Sequence, residues 1–343
     1  MCKIQPPKNR AFGQSCRRMH GLECTSFCQQ EMKPTVLLLY AFLQVSFGIK
    51  FSWDGIINYF AAPKKDANPI QKALSAVAGK IFFNQNEKDF SKTSHMDQLH
   101  AADALTFAME AYKHPKQRTS LQPKHACATF TKVDSGLNTK HDISYVIYES
   151  DKYTGTFVLA FRGSTSEKNW DLNNKFITAD CVLGKGNGCG RIHEGFQTGY
   201  QSVREELKPK LQKLPIRRLI ITGHSLGGAL SVIASYDLKM NDFPVTHLFT
   251  FGAPRVGNKE FEEHISGLKL HEMRVQLGKD NARDYITTVP PVVAGYVDAS
   301  NSLYAVICRE KKCEPSLMHG YDAYVRGIDY SLTQFTQKHC SDI

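Results

Sequence analysis

The 343-residue chain has no internal repeat, no low-complexity tract and no long Gly/Ser linker. Those absences leave no seam for a second folded domain. The length suits one large α/β domain, and 42% hydrophobic with 22% charged residues is ordinary globular composition. There is also no long basic run and no basic-aromatic ladder, although the formal net charge is +10. Lys and Arg are spread along the chain. The charge therefore reads as a solvated basic surface with weak attraction to anionic membranes or polysaccharides, and not as nucleic-acid recognition. No CxxC pair or suitably spaced His pair accompanies the cysteines, which argues against a zinc site.

What is there begins with an unusual N-terminus. Residues 1–31 are polar, carry Cys2, Cys16, Cys24 and Cys28, and show no periodicity. Met32-Lys33-Pro34 then precedes an apolar run over residues 36–43, and Ser46 and Gly48 end it as small residues. A short positive region, a short apolar stretch and a small-x-small ending describe a secretory signal peptide over residues 32–48. The run is too short to span a bilayer. Met32 is expected to be the physiological start, residues 1–31 an upstream extension, and residues 49–343 a single domain. Six cysteines then remain: Cys127, Cys181, Cys189, Cys308, Cys313 and Cys340. An even number in a secreted chain favours disulfides. Cys181/Cys189 and Cys308/Cys313 are close enough to staple local loops, which leaves Cys127 with Cys340. Spacing alone does not fix the connectivity.

Helical spacing of Leu99, Ala102, Leu105, Ala108, Met109 and Tyr112 predicts a helix over residues 94–112, capped by Ser94. Residues 143–148 and 156–161 read as strands joined by a polar turn. A helix over 196–213, a strand over 218–222, a helix over 228–238, and strands over 245–251 and 273–277 follow. Strands alternating with helices argue for a mostly parallel sheet covered on both faces.

Gly223-His224-Ser225-Leu226-Gly227 is a G-x-S-x-G sequence. By chance it would occur in roughly one chain in ten of this length, so alone it decides little. Its context does more, because it follows an apolar strand and opens a helix rich in small residues. That is the setting of a nucleophile elbow, in which a sharp turn projects the serine hydroxyl beyond the sheet at a helix N-terminus.

With Gly228, this segment resembles the signature of the fungal-type class 3 lipases, members of the α/β-hydrolase superfamily. Three further ordered stretches carry the same resemblance, over about residues 94–335. They are Phe161-Arg162-Gly163-Ser164-Thr165-Ser166 with Asn169-Trp170, His193-Glu194-Gly195-Phe196 with Tyr200, and residues 251–258, Phe-Gly-Ala-Pro-Arg-Val-Gly-Asn. The resemblance implies an α/β-hydrolase fold with a flap over the active site, and ester hydrolysis through an acyl-enzyme on Ser225.

A serine nucleophile needs a histidine base oriented by a carboxylate, in chain order Ser, acid, His. Downstream histidines are His247, His264, His271, His319 and His339. His247 sits in an apolar strand, whereas His319 lies in a loop that resembles the family's late histidine. Asp280 and Asp284 both follow the strand over 273–277. The family's proline pair, here Pro290-Pro291, points to Asp284. The backbone N–H of Leu226 is one oxyanion donor, and by resemblance that of Ser164 is another, with the Ser164 hydroxyl as a third. The mechanism calls for no metal or organic cofactor.

The resemblance places the flap at about residues 165–190. Trp170, Leu172, Phe176 and Ile177 are the candidates for its apolar face, and Asn169, Asp171, Asn173, Asn174 and Lys175 make the rest polar. A polar, stapled flap is also similar to that of the feruloyl esterases related to this family. The reading is a secreted ester hydrolase acting on acylglycerols at a lipid-water interface, with peripheral contact to a membrane or lipid droplet and no obligate protein partner. The alternatives are a feruloyl or other small-acyl esterase, phospholipid hydrolysis, and a catalytically inactive lipid- or polysaccharide-binding relative.

Overall fold

The structure is a computed structural model. It describes residues 88–173, 177–184, 188–279, 282–298, 303–306 and 319–333. The chain divides into two units, Met1–Ile49 and Lys50–Ile343, and the described residues all belong to the second. The expected extension and signal peptide lie outside the described residues.

The frame is a mixed sheet. In chain order its strands are β1 (Lys88–Asp89), β2 (Phe130–Asn138), β3 (Ile143–Ser150), β4 (Thr156–Phe161), β7 (Arg218–His224), β8 (Val245–Phe251), β9 (His271–Lys279), β10 (Ala282–Arg283) and β11 (Leu303–Val306). A separate antiparallel pair is formed by β5 (Thr178–Asp180) and β6 (Arg191–His193). The spatial order is β1-β11-β9-β8-β7-β4-β3-β2, with β10 folded back on β9. From β1 to β4 every neighbour is parallel, and β3 and β2 then add antiparallel. This is the α/β-hydrolase fold with the mostly parallel sheet expected from the alternating pattern.

The strand sequences explain the layering. A parallel strand covered on both faces must be apolar throughout, and β4 and the middle of β7 are buried at every position. Alternate residues then split between two cores. Phe157, Leu159, Phe161, Leu219 and Ile221 face one, shared with helices α3 (Glu194–Gln212) and α4 (Leu226–Met240). Val158, Ala160, Ile220, Phe249 and Phe251 face the other, shared with α1 (His95–Glu110) and α6 (Tyr321–Leu332). Ser94 caps α1 by accepting from the Asp97 amide at 3.0 Å, as its residue type predicts. Pro209 does not end α3, because Val203, Leu207 and Leu211 stay buried on either side of it. Strands β2 and β11, helix α6 and the short helix α5 (Lys259–Gly267) add to the elements expected from periodicity.

The flap region begins with α2 (Glu167–Asn173). Two expectations about it are corrected. Asn169 belongs to the polar set in the sequence, yet its side chain is fully buried. It accepts from the Thr165 amide at 3.0 Å and donates to the carbonyls of His141 and Asp142 at 2.9 and 3.1 Å. An amide with two donors and an acceptor can close a loop from inside, and here it does. Leu172 belongs to the expected movable apolar face, but it is only 3% exposed and packs in the core with Phe196 and Tyr200. Phe176 and the side chain of Trp170 lie outside the described residues.

The far end of the flap is stapled by the Cys181–Cys189 disulfide, as expected. Cys127 is also disulfide-bonded. Cys308, Cys313 and Cys340 lie outside the described residues.

Candidate active site

Ser225 sits between β7 and α4, with a positive φ of 58° and ψ of −130°. A non-glycine residue held there is strained, and the strain survives only where the surroundings over-determine it. They do so here through close backbone approach. A Cβ on Gly227 would collide with the carbonyl oxygen of Phe161 at the end of β4. Glycine at that position lets the start of α4 press against the strand that leads into Arg162-Gly163-Ser164. The Ser225 turn and the Ser164 loop are therefore held side by side.

The structure brings His319 and Asp284 to the same point. His319 Nε2 lies 2.8 Å from Ser225 Oγ, and His319 Nδ1 lies 2.8 Å from Asp284 Oδ2. The carboxylate can only accept, so Nδ1 carries the proton and Nε2 is free to accept from the serine hydroxyl. Asp284 is fully buried. Burial alone would raise its carboxyl, but the adjoining His319 and the hydroxyl of Tyr324 outweigh that and hold it below the usual range. Tyr324 Oη donates to Asp284 Oδ2 at 2.7 Å and accepts from the Leu277 amide at 3.1 Å. The other carboxylate oxygen accepts from the Ile286 amide at 3.0 Å, capping a 3-10 turn over Tyr285–Thr288. Gly252, at φ 58° beyond β8, forms the floor, since a Cβ there would stand 2.8 Å from Asp284 Oδ2. Asp280, the other candidate carboxylate, lies outside the described residues.

Ser164 Oγ accepts from Asn173 Nδ2 at 3.0 Å, which leaves its own hydroxyl proton available. Leu226 is the first residue of α4, so its N–H is one of the groups with no partner inside that helix. His247 is on β8 at the opposite end of the strand from the serine, as its apolar setting suggested.

Several residues of the site were assigned no role by the sequence motifs, even where they stand within one. His224, the residue before the nucleophile, donates from Nε2 to the His319 carbonyl at 2.8 Å. Its Nδ1 must then accept, and the donor is Tyr112 Oη at 2.8 Å. Burial, and next the charge of His319, push the His224 imidazole down to about 3, so it is neutral at ordinary pH. Below the acid loop, Asp298 receives Arg255 Nη2 at 2.8 Å and Arg274 Nη1 at 2.7 Å, all three buried. The same guanidinium groups also reach the loop backbone. Arg255 donates to the carbonyls of Thr288 and Pro290, and Arg274 to those of Ala253 and Thr287. The segment bearing Asp284 is thus pinned from beneath. Arg255 stands in one of the motif stretches, but its partner Asp298 is 43 residues away and no local pattern connects them.

Where a strained serine at a helix start is hydrogen-bonded to an imidazole that a buried carboxylate orients, the imidazole can take the hydroxyl proton as the serine oxygen attacks a carbonyl. The donors around it can stabilise the resulting oxyanion.

Residues 158–294 match the family model "Lipase (class 3)", so the resemblance read from the motifs holds. The chain is 33% identical over 168 residues to the secreted mono- and diacylglycerol lipase 1 of Fusarium solani, covering 48% of each. It is 28% identical over 157 residues to a lipase of Rhizomucor miehei, covering 43% of this chain and 41% of that one. The chain spans about half the length of the curated relatives it matches. Among solved structures it superposes on a mutant form of MDLA from Penicillium cyclopium with a TM-score of 0.52 at 24% identity, covering 64% of this chain and 83% of that one. It superposes on the Rhizomucor miehei triacylglyceride lipase with a TM-score of 0.51 at 19% identity, covering 64% and 82%. These superpositions establish a shared fold. His319 lies outside the matched segment 158–294.

Proposed function

We propose, from the match of residues 158–294 to the class 3 lipases, that this chain is a serine carboxylic-ester hydrolase acting on acylglycerols. The observation that carries the proposal is the pair of 2.8 Å contacts linking Ser225, His319 and Asp284. Ser225 Oγ attacks the ester carbonyl as His319 Nε2 takes its proton. Asp284 keeps the imidazole in the required tautomer and stabilises the imidazolium. The N–H groups of Leu226 and Ser164, with the Ser164 hydroxyl, receive the negative charge of the tetrahedral intermediate. Collapse releases the alcohol, which leaves with the proton from His319, and Ser225 stays acylated. Water then attacks by the same route in reverse order, and the acid is released. No step calls on a metal or cofactor.

The acylglycerol substrate is supported by relatives named mono- and diacylglycerol lipases, and secretion by relatives named as secreted together with the signal-peptide pattern over residues 32–48. Trp170 and Phe176 are proposed as the apolar contacts of the flap with substrate or lipid surface. A second reading, a feruloyl or other small-acyl esterase, is favoured by one observation. Leu172 is buried in the body, which leaves the flap less apolar surface to exchange for lipid.

The deciding experiment is hydrolysis of p-nitrophenyl esters from short to long chain, beside methyl ferulate and emulsified triglyceride. An acylglycerol hydrolase turns over the emulsion and the longer esters. Preference for methyl ferulate with an idle emulsion selects the second reading. Ser225→Ala should remove all of these activities, by about 10⁶ in kcat, while the fold persists. A folded Ser225→Ala protein of full activity refutes the proposal.

A further inference from the structure

The opposite end of the sheet from Ser225 carries a group of side chains that ester hydrolysis does not use. His247 on β8 and His271 on β9 are register partners on adjacent parallel strands. The first turn of α1 lies against them and brings Asp97 and His100, three apart and therefore on one helix face. His271 Nε2 stands 3.2 Å from Asp97 Oδ1. One donor atom from each of Asp97, His100 and His271 lies within 4.8 Å of the other two. The ring of His100 meets the rings of His247 and His271 edge-on at 6.2 and 6.3 Å. His100 is 7% exposed, whereas the side chains of His271 and Asp97 are 40% and 29% exposed. The group thus has a packed inner wall and an open outer side.

We propose that Asp97, His100 and His271 bind one divalent transition cation of the Zn²⁺ kind, with water filling the remaining coordination. Zn–N and Zn–O bonds of about 2.0–2.2 Å put tetrahedral donors roughly 3.3–3.6 Å apart. The Asp97–His271 pair is already near that spacing, and rotation of two partly exposed side chains closes the rest. Two imidazoles and one carboxylate form a borderline donor set, which selects Zn²⁺ or its neighbours over Ca²⁺ and Mg²⁺, whose sites are built from oxygen. His247 is a wall and not a ligand. Its Nε2 is 3.3 Å from Arg218 Nη2 and its Nδ1 is 2.8 Å from Thr246 Oγ1, so both ring nitrogens are engaged.

The site is structural. Helix α1 is 16 residues long and carries two of the three ligands, Asp97 and His100, near its start. Tyr112, which serves the triad, lies just beyond its other end. At 1.5 Å per residue the two ends are about 24 Å apart. The bound ion would tie the start of α1 to β9, and it would favour the folded chain because the unfolded chain does not assemble the three ligands.

The test uses the full, untagged chain after chelator treatment, with Zn²⁺ followed by calorimetry and Co²⁺ by its visible absorption. The wild type should bind one equivalent at this site and melt higher with Zn²⁺. Asp97→Asn and His271→Ala should each weaken binding at least as much as the roughly 10–100-fold that loss of a supporting partner costs. Their double variant should lose both the Co²⁺ spectrum and the Zn²⁺-dependent rise in melting temperature, while hydrolysing esters at the wild-type rate. Equal binding by the wild type and the double variant would place the ion elsewhere and overturn the proposal. So would the absence of binding to the wild type, which leaves Asp97 and His271 as an ordinary ion pair. His100→Ala, where it folds, should behave as the double variant does.

Discussion

Asp284 Oδ2 accepts from both His319 and Tyr324, so a single oxygen carries the orientation of the His319 imidazole. Replacing the carboxylate by an amide should favour the wrong imidazole tautomer, and Asp284→Asn is expected to cost about 10⁴ in kcat. A mild effect at Asp284 with a crippling one at Asp280 would move the assignment to the neighbouring acid. Tyr112 acts at one remove. Its hydroxyl satisfies His224 Nδ1, and His224 in turn holds the His319 carbonyl. Tyr112→Phe leaves a buried imidazole nitrogen without its donor, which should lower stability by about 1–3 kcal/mol in urea titration. Full stability would show that water or another group takes over. Ser225 stood out as the candidate nucleophile because a strand-turn-helix elbow is local, so five residues and their flanking strand and helix can be read together. Tyr112 and Tyr324 did not, because each meets its partner at a sequence separation of 112 or 40 and a tyrosine in a helix reads as core.

At the level of elements, two buried carboxylates do work that periodicity does not reveal. Burial alone would raise the Asp298 carboxyl, but Arg255 and Arg274 outweigh it and hold it low. Removing it would leave two buried guanidinium groups without their counter-charge. Asp298→Ala should cost about 3–5 kcal/mol, and what remains folded should lose activity because the Asp284 loop rests on the same arginines. An Asp298→Ala protein as stable as the wild type would show the clamp to be dispensable. Asp237 on α4 plays the same part beside the flap. It binds Arg204 Nε and Nη2 at 2.8 and 3.1 Å, Tyr200 Oη at 2.8 Å and the Gly184 amide at 3.1 Å. The stapled loop is thereby fixed to the helix that starts at the nucleophile. The Cys181–Cys189 loop closes over a separation of 8 residues, for which chain entropy gives about 2–3 kcal/mol. Cys181→Ser with Cys189→Ser should lower the urea midpoint accordingly. Strand and helix positions were mostly readable because the central strands β4 and β7 are apolar on both faces. The residues that lock the flap were misplaced because Asn169 and Leu172 look, one by one, like surface polarity and lid apolarity.

For the whole molecule, acid stability is governed by buried neutral imidazoles before carboxylates. Burial lowers His193 and His224 from 6.5 to about 3. Between those values the unfolded chain binds protons that the folded chain refuses, so stability is full above about pH 6.5 and falls as pH drops toward 3. The depressed carboxyls of Asp237, Asp284 and Asp298 add a further loss below their ordinary value of 3.8. His193→Gln should flatten the acid limb of a stability profile measured by denaturant midpoints, and an unchanged slope would place the proton uptake elsewhere.

The proposed base stands on a different footing from the proposed nucleophile. Ser225 is embedded between two adjoining strands of the sheet, β7 and β8, and a helix between them. His319 comes 94 residues later, at the start of the last described helix, held by its contacts to Ser225, Asp284 and His224 and by the burial of Tyr324 and Ile328 in α6. A helix packed on one face of a sheet can open as a cooperative unit at a free energy below that of the whole domain. Each such opening would carry the imidazole away and leave an intact sheet with an inert serine. Activity should therefore disappear at lower urea than the far-ultraviolet signal, with amides of α6 exchanging faster than those of β7. Coincident midpoints would mean that the last helix and the sheet yield together.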